Sequence, residues 1–107
     1  MTVMEKLERN GIRVDLPQLW ATARRYHVRE LSVFGSALRD DLRGDSDVDV
    51  LVSFQPGEEV SLFDLIDLEA ELSRVFCRRV DLVEVESLTN PIRRRTILAS
   101  RECLYAA

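Results

Sequence analysis

The chain has 107 residues, a formal net charge of −4 at pH 7, 46% hydrophobic and 32% charged side chains. That mix excludes a disordered chain, and the length suits one domain, residues 1–107, with a single core and no room for a second. The acidic balance counts against nucleic acid as a direct partner, and neither a spanning apolar run nor a secretory leader is present, so no membrane contact and a cytoplasmic location are expected.

Residues 3–10 (VMEKLERN) predict a short amphipathic helix stopped by Gly11, with Val3, Met4 and Leu7 on one side. A second helix is expected from about Asp15, which stands at an N-cap position with Pro17 in the first turn. Leu16, Leu19, Trp20, Ala23 and Tyr26 recur at helical spacing and read as core packing. These N-terminal helices occupy about residues 3–27, before a catalytic core at about 29–105. Leu31 to Phe34 predict a first strand running into Gly35, and Ser46 to Phe54 a second, ended by Pro56-Gly57. Residues 61–76 (SLFDLIDLEAELSRVF) are the clearest helix. Leu62, Leu65, Ile66, Leu68, Leu72 and Val75 form its apolar face, and Asp64, Asp67, Glu69 and Glu71 a solvated one.

Residues 79–85 (RVDLVEV) alternate as a third strand, and Asn90-Pro91 open a last helix expected to reach about Glu102. The order is α-α-β-α(short)-β-α-β-α, an α/β or α+β layer with a small sheet under helices. The long helix between the second and third strands is the connection that parallel pairing needs. Cys77 and Cys103 are expected reduced and half-buried, and His27 at the surface or a helix end.

The chemistry lies in GSALRDDLRGDSDVDVLVSF, residues 35–54, which sets Asp45, Asp47 and Asp49 on an expected strand. Side chains alternate along a strand, so Asp47 and Asp49 share a face with Cα atoms roughly 6.5 Å apart, while Val48 and Val50 enter the core. Like charges repel there, more strongly as the dielectric falls, so a cation is missing from the chain as written. Two carboxylates at that spacing can hold hard cations that fill their remaining positions with phosphate and water oxygens. Gly35 lets the backbone approach a ligand, Ser36 adds a hydroxyl, and residues 36–40 could open a helix whose free N–H groups face an anion. Asp81 is the best candidate for a third carboxylate. Glu84 and Glu86 are second choices, because alternation puts neither on the face of Asp81.

Ser36, ten intervening residues and then Asp47-Val48-Asp49 (GS-x10-DxD) resemble the signature of the DNA polymerase beta nucleotidyltransferase superfamily. GSALR…SDVDVLVSF followed by RRVDLVEVESLTNPIRRRTILAS is similar to its smallest branch, the minimal nucleotidyltransferases, over about residues 29–105. The resemblance implies a palm-like small mixed sheet flanked by helices, two Mg2+ ions, and transfer of a nucleoside monophosphate from an NTP with release of pyrophosphate. By the same resemblance Gly35 and Ser36 bind phosphate, Asp47, Asp49 and Asp81 are catalytic metal ligands, and Arg39 contacts phosphate or supports the turn. Asp40 and Asp41 depart from the pattern, since a glycine often follows that arginine, and acids there weaken triphosphate binding unless they face away.

Members of this branch resemble antitoxins of HEPN-domain toxins. The implied activity is transfer of AMP from ATP to a tyrosine of a HEPN-type partner, within a hetero-oligomer. A catalytically silent module that inhibits its partner by occlusion, and an enzyme acting on a small molecule, are the alternatives. Arg93-Arg94-Arg95 read as a solvated helix face, as a partner contact or as reaching the nucleotide; consecutive helix positions fan around the axis, so at least one must approach the sheet.

Overall fold

A computed structural model describes residues 1–107. Thr2 starts helix α1 (Val3–Arg9) through a reciprocal capping box with Glu5, and Asp15 caps helix α2 (Leu16–Arg25) by accepting from the Gln18 N–H. Strand β1 (Val28–Phe34) leads into a one-turn 3-10 helix, Gly35–Leu38. Strand β2 (Val48–Phe54) precedes helix α3 (Leu62–Phe76), capped by Ser61, and strand β3 (Val80–Glu84). After a short 3-10 turn, Val85–Ser87, Asn90 caps helix α4 (Pro91–Ser100), which is followed by strand β4 (Glu102–Ala106).

The strands form one mixed sheet in the order β3-β2-β1-β4. β2 and β3 pair in parallel through the α3 crossover, as their connection allows, while β1 is antiparallel to both β2 and β4. This is the α+β mixed sheet flanked by helices that the sequence implied.

Alternation along β2 divides the interior. Val48, Val50 and Val52 enter the larger core with Leu7, Ile12, Leu19, Leu68, Leu72 and Phe76 from α1 to α3 and the loop between. The opposite face has a smaller cover, in which Phe34 and Leu51 pack against Leu88 and Ile97. Asp49 belongs to that second face, one alternation step from Leu51.

Several boundaries differ from expectation. β2 begins at Val48, not Ser46, so Asp45 sits in an exposed turn rather than on the strand. The Ser46 hydroxyl accepts from the Arg43 N–H at 3.0 Å, and the Ser46 N–H donates to the Arg43 carbonyl at 3.1 Å, closing that turn. Residues 36–40 give only a single 3-10 turn ending at Leu38. β1 starts at Val28, three residues early, because its partners β2 and β4 extend the ladder to Val28 and Glu30. α4 stops at Ser100, and the tail forms β4 on the open edge of β1. No local turn signal separates ILAS from RECLYA; the edge of β1, and an Arg101 Nε bond to Glu30 Oε2 at 3.0 Å, decide the break.

Trp20 is not core but 40% exposed, and its indole N–H donates to the Leu104 carbonyl at 3.2 Å. The predicted apolar face of α3 is only half used: Leu68, Leu72 and Val75 are buried, while Leu62 and Ile66 are not. Its acidic face is not wholly solvated either, since Glu69 accepts from the Leu82 N–H at 3.0 Å and Glu71 pairs with Arg25. Cys77 and Cys103 are free, as expected, but exposed rather than half-buried. His27 lies exposed just past the end of α2, with φ +59°. No helix is long and apolar enough to cross a membrane.

Because Leu51 is buried against Phe34, Leu88 and Ile97, the last from α4, Leu51→Ala is expected to lower stability by about 2–5 kcal/mol. Urea denaturation checks this.

Candidate active site

Asp47 ends the loop before β2, and Asp49 is the second residue of the strand. In the parallel ladder Asp49 stands in register with Asp81, and across the antiparallel pair it stands opposite Phe34. In-register residues on neighbouring strands share a face, with strands about 4.8 Å apart. The fold therefore adds Asp81 to the Asp47 and Asp49 pair. Asp47 and Asp49 are half-buried and Asp81 is exposed.

Gly35 is required twice over. Its φ is +75°, in the left-handed region, and a Cβ there would lie 2.5 Å from Asp49 Oδ2. Only a glycine lets the turn after β1 close onto the carboxylate, and the half-buried Ser36 follows it in the chain.

The Asp49 carboxyl is pushed above its ordinary value. Burial is the largest cause, followed by the charges of Asp81 and Asp47, and the guanidinium groups of Arg39 and Arg93 oppose the rise. Negative charge thus exceeds local compensation, which fits a site built to receive a cation. Asp47, Asp49 and Asp81 do not close into a three-ligand cage. Any Mg2+ ions here would need further oxygens from a phosphate substrate and water, as that ion ordinarily does.

Arg39 lies on the exposed rim, its Nε 3.1 Å from Asp41 Oδ1, and this bond holds the Asp41 carboxyl below its usual value. Asp40 pairs with Arg9 at 3.0 Å. Both departures from the expected motif are therefore matched by arginines.

Sequence reading missed the residues that hold the loops. Asn10, at the end of α1, donates through Nδ2 to the carbonyls of Ala37 (2.8 Å) and Arg39 (2.9 Å), tying down the segment that carries Ser36. Arg78 donates through Nε to the Ser46 carbonyl at 2.8 Å and also to the Arg43 carbonyl, fixing the approach to Asp47. Arg79 Nε lies 3.9 Å from Asp47 Oδ2. No local pattern marked Asn10, whereas Arg78 and Arg79 border a recognisable strand. Of the arginine run, Arg94 Nη1 donates to the Val85 carbonyl at 3.0 Å, Arg93 acts on Asp49 through its charge, and Arg95 is exposed. Glu84 and Glu86, the second-choice carboxylates, lie off this face: Glu84 alternates with Asp81 and Glu86 falls beyond β3.

The Nucleotidyltransferase domain family matches residues 12–104. The chain belongs to this family. A relative of this nucleotidyltransferase, Protein adenylyltransferase MntA of Thermococcus cleftensis, is 46% identical over 81 residues, 76% of this chain and 77% of the relative. A solved structure assigned as a minimal nucleotidyltransferase superposes with a TM-score of 0.68 at 29% identity, covering 95% of each chain. A chain from the complex of a tri-AMPylated Shewanella oneidensis HEPN toxin with an MNT antitoxin shares the fold at a TM-score of 0.60. There the identity is 16%, with coverage of 86% of this nucleotidyltransferase and 70% of that chain.

Two outcomes are expected. Gly35→Ala strains a left-handed backbone position at about 1–3 kcal/mol. By displacing Asp49 it lowers nucleotidyl transfer roughly 100-fold, as misplacement of about 1 Å does. Urea unfolding and initial rates measure the two effects.

Asp49→Asn stabilises the chain at pH 7 when a chelator is present. As pH rises past the ordinary value of 3.8, the unfolded chain releases this proton before the folded one does. Wild-type stability therefore falls until the raised folded pKa is passed, whereas the amide carries no such loss. Thermal melts should show a higher Tm for Asp49→Asn at pH 7 and no such gain below the ordinary carboxylate range.

Proposed function

We propose that this nucleotidyltransferase transfers AMP from ATP to a tyrosine hydroxyl of a HEPN-type toxin and so acts as its antitoxin. The observation that carries the reading is the in-register pair Asp49 and Asp81 beside Gly35, with Asp49 burdened by uncompensated charge. The 46% identity to a protein adenylyltransferase supports AMP as the group and a protein as the acceptor. The fold shared with a chain of an AMPylated HEPN toxin–MNT antitoxin complex supports the partner class.

Asp47, Asp49 and Asp81 would hold two Mg2+ ions, which when bound neutralise the triphosphate and polarise the α-phosphoryl group. The chain's own residues do the rest. The Gly35-Ser36 turn receives the phosphates against its backbone, and the guanidinium groups of Arg39 and Arg93 add positive potential around Asp49. Asp81, exposed on β3, takes the proton of the acceptor hydroxyl. The hydroxyl oxygen forms a bond to the α-phosphorus in line with the bond to the pyrophosphate bridge, which breaks. Pyrophosphate leaves with that electron pair.

Intact-mass measurement of a purified HEPN-domain protein incubated with ATP and Mg2+ tests this. Wild type should add one or more adenylyl groups to it, and Asp49→Asn or excess chelator should abolish the addition. Replacing the modified tyrosine by phenylalanine should remove one group. If wild type binds and inhibits the partner without adding mass, the chain is an occluding module and the transferase reading fails.

A further inference from the structure

α3 keeps large apolar side chains in water, among them Leu62 and Ile66 of the stripe that its periodicity called to the core. Leu62 is 70% exposed, Phe63 78% and Ile66 55%. Leu62 and Ile66 lie one turn apart on one face of the helix, with Phe63 beside them. Between this part of α3 and strand β3 runs a groove of about 200 Å³ lined by Leu62, Leu65, Ile66 and Leu82, with Glu69 and Glu84 at its edge. Isolated exposed apolar residues need no explanation, but three large ones next to an apolar groove mark an interaction surface.

The surroundings state the charge of what belongs there. From Gly44 to Ser73 the sequence has no lysine or arginine. Glu84 borders both this groove and a neighbouring one of about 250 Å³ that also takes in Glu58 and Glu86. None of the molecule's ion pairs involves Glu69, Glu84 or Glu86. Burial, and then the charge of Glu86, push the Glu84 carboxyl above its ordinary value.

The backbone restricts the form of the occupant. β3 is an edge strand, and an edge invites another strand. Here two of its N–H groups are already satisfied from α3: Val80 donates to Ser73 Oγ and Leu82 to Glu69 Oε2, both at 3.0 Å. Strand addition is blocked at those positions, so recognition must run through side chains, as when a helix lies in a groove.

We propose that the α3–β3 groove docks an amphipathic helix of a partner protein, with apolar residues facing Leu62, Phe63 and Ile66 and arginine or lysine facing Glu69, Glu84 and Glu86. The surface lies on the sheet face opposite Asp49 and Asp81. A partner held there leaves the carboxylate face open to an acceptor side chain. As a docking surface for a protein acceptor it rests on the transferase reading for its purpose, but its test uses neither nucleotide nor Mg2+.

The probe is a fluorescent peptide of about 18 residues, long enough for helix formation, with a leucine face flanked by arginines. Its control carries the same leucine face flanked by glutamates. Fluorescence anisotropy should show saturable binding of the arginine peptide to wild type and none of the glutamate peptide. Phe63→Ser/Ile66→Ser, at exposed positions that spare the core, should weaken binding about tenfold or more, as loss of apolar anchors does. Glu84→Gln/Glu86→Gln should weaken it as well and flatten its salt dependence.

Equal binding of the arginine peptide to wild type and Phe63→Ser/Ile66→Ser would overturn the proposal. So would sedimentation showing a wild-type dimer that Phe63→Ser/Ile66→Ser converts to monomer, since the groove would then hold a second copy. Absence of adenylyl transfer by wild type, with peptide binding intact, would instead count against the transferase reading alone.

Discussion

The Asp49 carboxylate is the point on which the rest of the site depends. It is half-buried in the second position of a central strand, in register with one aspartate and two residues from another, and a glycine backbone closes over it. In a purely structural sheet such an arrangement would be selected against, because desolvation and like-charge repulsion act in the same direction. Here both effects raise the Asp49 pKa, and the surrounding arginines only partly oppose them. The structure carries an electrostatic deficit, and a cation arriving with a phosphate substrate is the species that would remove it.

Everything nearby restrains that carboxylate. Gly35 meets it from the end of β1, and Asn10 holds the segment after Gly35 by two carbonyls from the end of α1. Arg78 grips two carbonyls of the turn before Asp47. The end of the first helix and the segment just before the third strand, far apart in sequence, therefore each hold a loop that leads to these residues. Rigid support of this kind holds carboxylate oxygens in place without a cage of ligands from the protein alone.

The two faces of the sheet divide the work. The face carrying Val48, Val50 and Val52 lies under α1 to α3 and supplies the larger core. The other face packs Leu51 under α4 and has Asp49 on the same side, and Arg93 enters from α4. The carboxylates of Asp49 and Asp81 and the apolar groove of α3 fall on opposite sides of the sheet. At the rim, Asp40 and Asp41 are each paired with an arginine, Arg9 and Arg39.

Local rules determined a large part of this protein. Capping at Asp15 and Asn90, periodicity in residues 61–76 and alternation in 48–52 and 80–84 gave the elements, because each is set by near neighbours in the chain, and the long helix between the second and third strands left parallel pairing open to them. The same alternation put Asp49 on the face of Leu51, whereas Asp47, expected on that strand, falls in the loop before it; the spacing from Gly35-Ser36 indicated the family. Other features were decided only by contacts between distant segments. β4 exists because β1 has an open edge, while its own five residues carry no turn signal. Asn10 serves the loop at Ala37 and Arg39 through side-chain geometry that no periodicity encodes. The exposure of Leu62 and Ile66 was hidden because an apolar stripe records what a helix can bury, and only the width of the sheet beneath it sets how much it does bury. Asp81 lay between these cases: its face was legible from alternation, but its register with Asp49 came from the parallel ladder that the tertiary fold aligned.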